Sequence, residues 1–181
     1  TLNQLVSATE NQRTAAYAYN AQGIRTAKVT FSTRTNYLLD GANVVGERLH
    51  GEYVSYLRGA NLISRTSEDD GLQLFNAHGD VTGLADSTGA STRAYDYDAF
   101  GVEKDPDPLD ENPFRYCGEY YDGETKTYYL RARYYDPNIG RFTQQDTHWN
   151  TANSIYGDNP QKINEREDKL GLKSYSYAPQ I

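Results

Sequence analysis

FRYCGEYYDGETKTYYLRARYYDPNIGRFTQQD, from Phe114 to Asp146, holds seven of the seventeen tyrosines in the chain. Two turn signals divide it. Asp122-Gly123 suits a tight hairpin, because glycine tolerates positive φ and aspartate bonds its own following backbone. Asp136-Pro137-Asn138-Ile139-Gly140 is a second turn, with proline fixing φ and glycine releasing it. Between them, Thr125 to Tyr135 is rich in Thr and Tyr, which favour a pleated, half-buried surface. The stretch predicts strand, turn, strand, turn, strand.

Upstream, short alternating runs recur between turn residues. Leu2 to Val6 predicts a strand and Ser7 to Arg13 a polar turn. Tyr17-Ala18-Tyr19-Asn20-Ala21-Gln22-Gly23 alternates aromatic and small residues, then offers Asn and Gly for a reversal. Lys28 to Leu39 alternates as far as Asp40-Gly41, a hairpin signal. Further strands are predicted around Val44-Val45, Tyr53 to Leu57, Leu62-Ile63 and Leu72 to Phe75, and a hairpin over Thr82 to Gly89. Tyr95-Asp96-Tyr97-Asp98-Ala99-Phe100-Gly101 is the clearest Tyr-Asp unit. Gly79, Gly101 and Gly123 are each 22 residues apart, a spacing that stacked two-strand units would show. Gly23 falls off that grid. Lys104 to Pro113 (KDPDPLDENP) is a proline-rich acidic surface loop. After Asp146 the sequence turns polar. Ile163 to Leu170 predicts one or two helical turns ended by Gly171, and Lys173 to Ile181 an unstructured tail.

With 181 residues the chain is long enough for one domain with a core. It begins with Thr1 and contains no Met, which reads as a fragment or processed piece. No apolar run is long enough to span a bilayer. A net charge of −7 argues against phosphate-directed nucleic-acid binding, which needs clustered Lys and Arg. Cys117 is the only cysteine, which excludes an internal disulfide. Tyrosine combines an apolar ring with a polar tip, and its abundance suggests a wall with one dry and one wet side.

Three ordered segments carry a family resemblance: Asn112-Pro113-Phe114-Arg115-Tyr116, then Tyr128-Tyr129-Leu130-Arg131-Ala132-Arg133-Tyr134-Tyr135-Asp136-Pro137, then Gly140-Arg141-Phe142 with Asp146. Together they resemble the Rhs/YD-repeat associated core domain, and the likeness covers nearly the whole chain. It implies a mainly β fold, an antiparallel hairpin meander of YD repeats forming part of a curved or spiral shell, with little helix near the C-terminus. On this reading residues 1–113 are YD-repeat strands, 114–172 the core segment and 173–181 a tail that begins a toxin region. The partners implied are upstream YD repeats of the same parent chain and a C-terminal toxin cargo, in a secreted or cell-surface protein. No cofactor is expected.

The resemblance also implies self-cleavage. The family's core ends in a motif like Asp-Pro-x-Gly-Leu. The matching stretch here is Asp168-Lys169-Leu170-Gly171-Leu172, with Lys169 where proline is usual, and the bond cut would join Leu172 to Lys173. Asp146 and Asp168 would act as an aspartic pair. Two close carboxylates share one proton, so one takes a proton from water while the other polarises the scissile carbonyl. Arg133 matches an arginine that would orient that pair. Read as residues alone, Asp146 caps a turn, Asp168 is a solvated helix residue and Arg133 a salt-bridge partner. His50, His78 and His148 show no metal-ligand spacing; His78 beside Asp80 reads as a turn residue, and Cys117 as a small core residue. The competing function is a non-catalytic cell-surface adhesion or carbohydrate-binding module, with tyrosine stripes stacking on sugars.

Overall fold

The computed structural model describes residues 4–10, 13–31, 33–66, 71–144 and, by backbone alone, 174–177. Ten strands follow one another as an antiparallel meander. They are β1 (Leu5–Glu10), β2 (Arg13–Tyr19), β3 (Arg25–Thr30), β4 (Thr33–Asp40), β5 (Asn43–Leu49), β6 (Glu52–Arg58), β7 (Leu62–Thr66), β8 (Gly71–Phe75), β9 (Val81–Ala85) and β10 (Ser91–Ala94). A second sheet contains β11 (Tyr120–Asp122), β12 (Thr127–Tyr129), β13 (Tyr134–Asp136) and β14 (Arg141–Phe142), paired in that order. β15 (Ser174–Tyr177) pairs with β1 and completes an eleven-stranded sheet whose other edge is β10. Among the described residues the only helical element is a 3-10 turn at Tyr116–Gly118. The mainly β, hairpin-meander architecture expected from the sequence is present.

One turn design recurs. Asn20 accepts the backbone N–H groups of Gln22 (3.0 Å) and Ile24 (2.9 Å) on its side-chain oxygen, and Gly23 reverses the chain at φ +81°. Asn76 with Gly79, Asp86 with Gly89 and Asp98 with Gly101 repeat the same bonds and the same positive φ. The rule is Asx-x-x-Gly, in which a side-chain oxygen caps two amides and only glycine takes the left-handed position without strain. Gly23 belongs to this set and Gly123, which lacks a positive φ, does not. Shared turn chemistry, not the 22-residue interval, unites these four turns.

Other local expectations are corrected. Ser7 to Glu10 is strand, because its backbone pairs with Arg13–Ala16. The run from Lys28 to Leu39 is two strands, broken where Phe31 takes φ +54°. Thr125 to Tyr135 likewise divides at Leu130–Arg133, where Arg131 adopts φ +61° and Leu130 N–H donates to Arg133 O at 2.8 Å. The extra hairpin pairs Tyr128 with Tyr135 and Tyr129 with Tyr134. Residues 174–177, placed in an unstructured tail by the sequence, form β15. The helix expected over Ile163 to Leu170 lies outside the described residues.

The two sheets meet through aromatic rings. Alternation puts Tyr17, Tyr37 and Tyr56 on the buried face of β2, β4 and β6. They contact Tyr134 at 5.7 Å, Tyr120 at 5.6 Å and Phe114 at 5.0 Å between ring centroids. Such pairs contribute about 0.5–1.5 kcal/mol each beyond the area they bury. The tyrosines are therefore mostly an inter-sheet core, not a wall with a wet side. Four hydroxyls find internal acceptors: Tyr56 donates to Glu47 (2.6 Å), Tyr19 to Leu5 O (2.7 Å), Tyr97 to Val81 O (2.9 Å) and Tyr128 to Gly101 O (3.0 Å).

Candidate functional site

At the centre of the sheet junction lies Arg25, only 1% exposed. The preceding Asx turn at Asn20 delivers it to the start of β3, facing the second sheet. Its guanidinium pairs with the fully buried carboxylate of Asp122 at the end of β11 and donates to the Tyr134 hydroxyl at 3.1 Å. Its backbone N–H donates to the Tyr129 hydroxyl at 2.8 Å. Five tyrosine rings surround the cation, Tyr129 nearest at 4.2 Å from its centroid. Lys28, three residues along β3 from Arg25 and past a register shift against β2, reaches both Asp122 (3.0 Å) and Glu124 (3.1 Å), and Glu124 also accepts from Tyr17 at 3.3 Å. Burial alone would raise the Asp122 pKa, but the charges of Arg25 and Lys28 overcome it and hold the carboxyl below its ordinary value. This clamp fixes the small sheet on the large one.

A second charge network fastens the acidic loop. Arg115, which packs under the Tyr95 and Tyr121 rings, pairs with Glu103, and Arg93 bonds Glu103 at 3.3 Å and Asp107 at 3.1 Å. Buried Asn112 donates to Phe114 O at 2.7 Å and to the Tyr95 hydroxyl at 3.3 Å. The loop and the two sheets border a cleft of about 980 Å³ that includes Lys28, Glu47, Arg65, Glu103, Arg115 and Tyr121 in its walls.

Of the residues assigned to self-cleavage, the structure places Arg133. It leads into β13, with its guanidinium over the Phe142 ring at 3.6 Å from the centroid. The strand it covers, β14, runs on toward Asp146: Thr143 N–H donates to Tyr134 O at 2.9 Å, and the Gln144 side chain accepts from Tyr134 N–H at 3.0 Å. Arg133 thus stands beside the segment that leads to Asp146. Asp146, Asp168, Leu172 and Lys173 lie outside the described residues.

The sequence reading missed one convergence. His78 and Asp80, on the turn between β8 and β9, meet Cys117 of the 3-10 turn. Cys117 is exposed instead of sitting in the core, because the 3-10 turn lies on the rim of the sheet junction. It is no nucleophile as arranged. Partial shielding of the sulfur, followed by the carboxylates of Asp80 and Glu119, pushes the thiol up to about 11. The same His78 nitrogen faces both Asp80 and Cys117, so the ring cannot relay a proton between them.

These features define a class: a YD shell, in which a hairpin meander is closed by a tyrosine-rich core. The sequence matches the Teneurin YD-shell family over residues 47–180, and the chain belongs to that family. It is 40% identical over 149 residues to the tRNA3(Ser)-specific nuclease WapA of Bacillus spizizenii, covering 76% of this chain and 6% of that protein. It is 38% identical over 147 residues to the tRNA nuclease WapA of Bacillus subtilis (strain 168), with the same coverage of each. The chain thus spans about 6% of the length of these relatives. The solved structure of TcdB2-TccC3 without its hypervariable C-terminal region superposes with a TM-score of 0.60 at 21% identity, covering 76% of this chain and 8% of that one. That likeness is one of fold. Among the described residues no helix is long and apolar enough to cross a membrane.

Proposed function

We propose that this segment is the closing part of an Rhs/YD-repeat shell that encapsulates a C-terminal toxin cargo and releases it by aspartate-dependent self-cleavage after Leu172. The observation that carries the reading is the Arg25–Asp122 clamp. It seats a core sheet on one face of a meander whose β10 edge pairs with no further strand among the described residues. A container wall needs both features, a plug and an extendable edge. Upstream YD repeats of the same parent chain would pair along the wall. The WapA relatives are named tRNA nucleases; this segment, at net charge −7, serves in this reading as container, with nucleic acid left to the cargo. Secretion or surface display, with delivery to competing bacteria, follows from the same reading.

In the cleavage step, Asp146 and Asp168 share a proton, water adds to the Leu172 carbonyl, and the Lys173 amine leaves with a proton. Arg133, stacked beside the strand that leads to Asp146, orients the pair. Expression of the full parent chain yields a separate C-terminal fragment, detected by mass spectrometry with Lys173 as its new N-terminus. Asp146→Asn and Asp168→Asn each keep the chain whole. If both variants fragment like wild type, the aspartate mechanism is wrong. The adhesion reading loses its basis in stacking tyrosines, since most of those rings are buried between the sheets.

A further inference from the structure

We infer that His78, Asp80 and Cys117 form a binding site for one Zn²⁺-class divalent cation, independent of the cleavage chemistry. Among the described residues this is the one group of three metal-ligating side chains whose donor atoms all lie within 4.8 Å of one another. The His78 Nδ1 stands 2.9 Å from Asp80 Oδ1 and 3.8 Å from Cys117 Sγ. Tetrahedral Zn²⁺, with bonds of about 2.0–2.1 Å to N and O and about 2.3 Å to S, sets N–O and N–S separations near 3.3 Å and 3.5 Å. A small rotation of His78, whose side chain is 60% exposed, closes the difference. Thiolate, imidazole and carboxylate together favour zinc over magnesium or calcium, which prefer all-oxygen cages.

The frame around the donors is already built. The Asn76 side chain donates to Asp80 Oδ2 at 2.8 Å and accepts the backbone N–H groups of His78 and Asp80, at 2.9 and 3.0 Å. That fixes two donors on one turn. The third is brought to them by two bonds between chain segments: Cys117 N–H donates to Asp80 Oδ1 at 2.8 Å and Val81 N–H to Arg115 O at 3.0 Å. Outer partners that lock ligands in this way characterise metal sites. A bound cation would clip the β8–β9 hairpin of the wall to the core turn. With three protein ligands and two of them exposed, a fourth position faces solvent for water or an external donor.

The test uses the full chain, reduced and stripped of metal with a chelator, then titrated with Co²⁺ and afterwards with Zn²⁺. The expected result is a thiolate-to-cobalt charge-transfer absorption that saturates at one equivalent and is displaced by Zn²⁺. Cys117→Ser abolishes the band, and His78→Ala weakens binding, with unchanged circular dichroism in both. Asn76→Ala weakens it about 10-fold or more, whereas His50→Ala leaves it intact. A wild-type spectrum no different from that of Cys117→Ser overturns the site. So does Zn²⁺ affinity in the Cys117→Ser/His78→Ala double variant equal to wild type. Fragment release is scored in the same samples, so failure of the metal site and failure of self-cleavage are separately visible.

Discussion

Removing the Asp122 charge is the sharpest perturbation of this architecture. Arg25 is 1% exposed and Asp122 is fully buried, so neither can turn to water when its partner is lost. Asp122→Asn keeps the shape but leaves Arg25 and Lys28 facing Glu124 alone, two cations against one anion. Breaking a buried pair on one side costs about 3–5 kcal/mol. The tyrosine rings around Arg25 soften that loss, which places the expected value near the lower bound, about 3 kcal/mol. Arg25→Met leaves Lys28 alone to face Asp122 and Glu124, one cation against two anions. The double variant Arg25→Met/Asp122→Asn removes both charges and is more stable than the sum of the singles predicts, with a coupling of about 2 kcal/mol or more. Urea unfolding of the full chain measures the cycle, and amide hydrogen exchange localises it to β3 and β11. The pH dependence supplies a second readout. The Asp122 carboxyl binds its proton more weakly when folded than when unfolded, because its folded pKa lies below the ordinary 3.8. Its stabilisation is therefore complete above that value and drains away as pH falls through the lower folded value. Asp122→Asn flattens the stability curve in that acid window. Single losses under about 1 kcal/mol, or strictly additive losses, would refute the clamp as the element that seats the core.

Other outcomes follow from five single sites. Tyr37 carries a buried hydroxyl with no hydrogen-bond partner among the described residues; Tyr37→Phe leaves stability level or raises it by up to about 1–2 kcal/mol in urea melts. Gly89 and Gly101 both take positive φ, at +86° and +92°. A Cβ at Gly89 meets nothing within 4 Å, so Gly89→Ala costs about 1–2 kcal/mol of backbone strain. At Gly101 a Cβ would come within 2.5 Å of the Tyr116 ring, so Gly101→Ala costs clearly more, and equal losses at the two glycines would contradict that packing. Asp86→Ala removes the side chain that caps the β9–β10 turn and lowers stability by about 0.5–2 kcal/mol, read by faster exchange of the Thr88 and Ala90 amides. Arg133→Ala abolishes fragment release and forfeits the stacking on Phe142, worth about 0.5–1 kcal/mol; unchanged release separates Arg133 from the cleavage chemistry.

What the sequence revealed was governed by distance along the chain. The hairpins were legible because each one is specified by a few neighbours: alternation sets the strand, and Asx-x-x-Gly sets the corner, as at Asp98 and Gly101. The break at Arg131 was not legible, since nothing in the side chain of an arginine announces φ +61°. It is imposed by the pairing of Tyr128 and Tyr129 with Tyr135 and Tyr134, which forces the chain to reverse between them. Arg25 read as an ordinary cation after a turn. Its partner Asp122 is 97 residues away, and only the closed structure makes that arginine the centre of the core. Cys117 and Asp80, 37 residues apart, behaved likewise. The tail did carry a signal, Ser174-Tyr175-Ser176-Tyr177, whose period of two matches a strand, yet its partner β1 lies at the opposite end of the chain.

That division follows from how the molecule is stabilised. The wall is built from local hairpins that could recur at any length, whereas the core sheet is held by charges and rings that must find single partners across the chain. In the proposed shell, extension at the β10 edge needs only backbone pairing and leaves Arg25, Asp122 and the rings around them fixed. The same separation predicts how substitutions sort. Changes on the outward positions of β4, β6 and β8, such as exposed Leu38, Leu57 and Leu74, leave the seating of the core untouched. Loss of the Tyr17, Tyr37 or Tyr56 ring, or of Arg25, loosens it even though each lies on a different strand, because all four press against the small sheet or against Phe114, which bridges to its Tyr120.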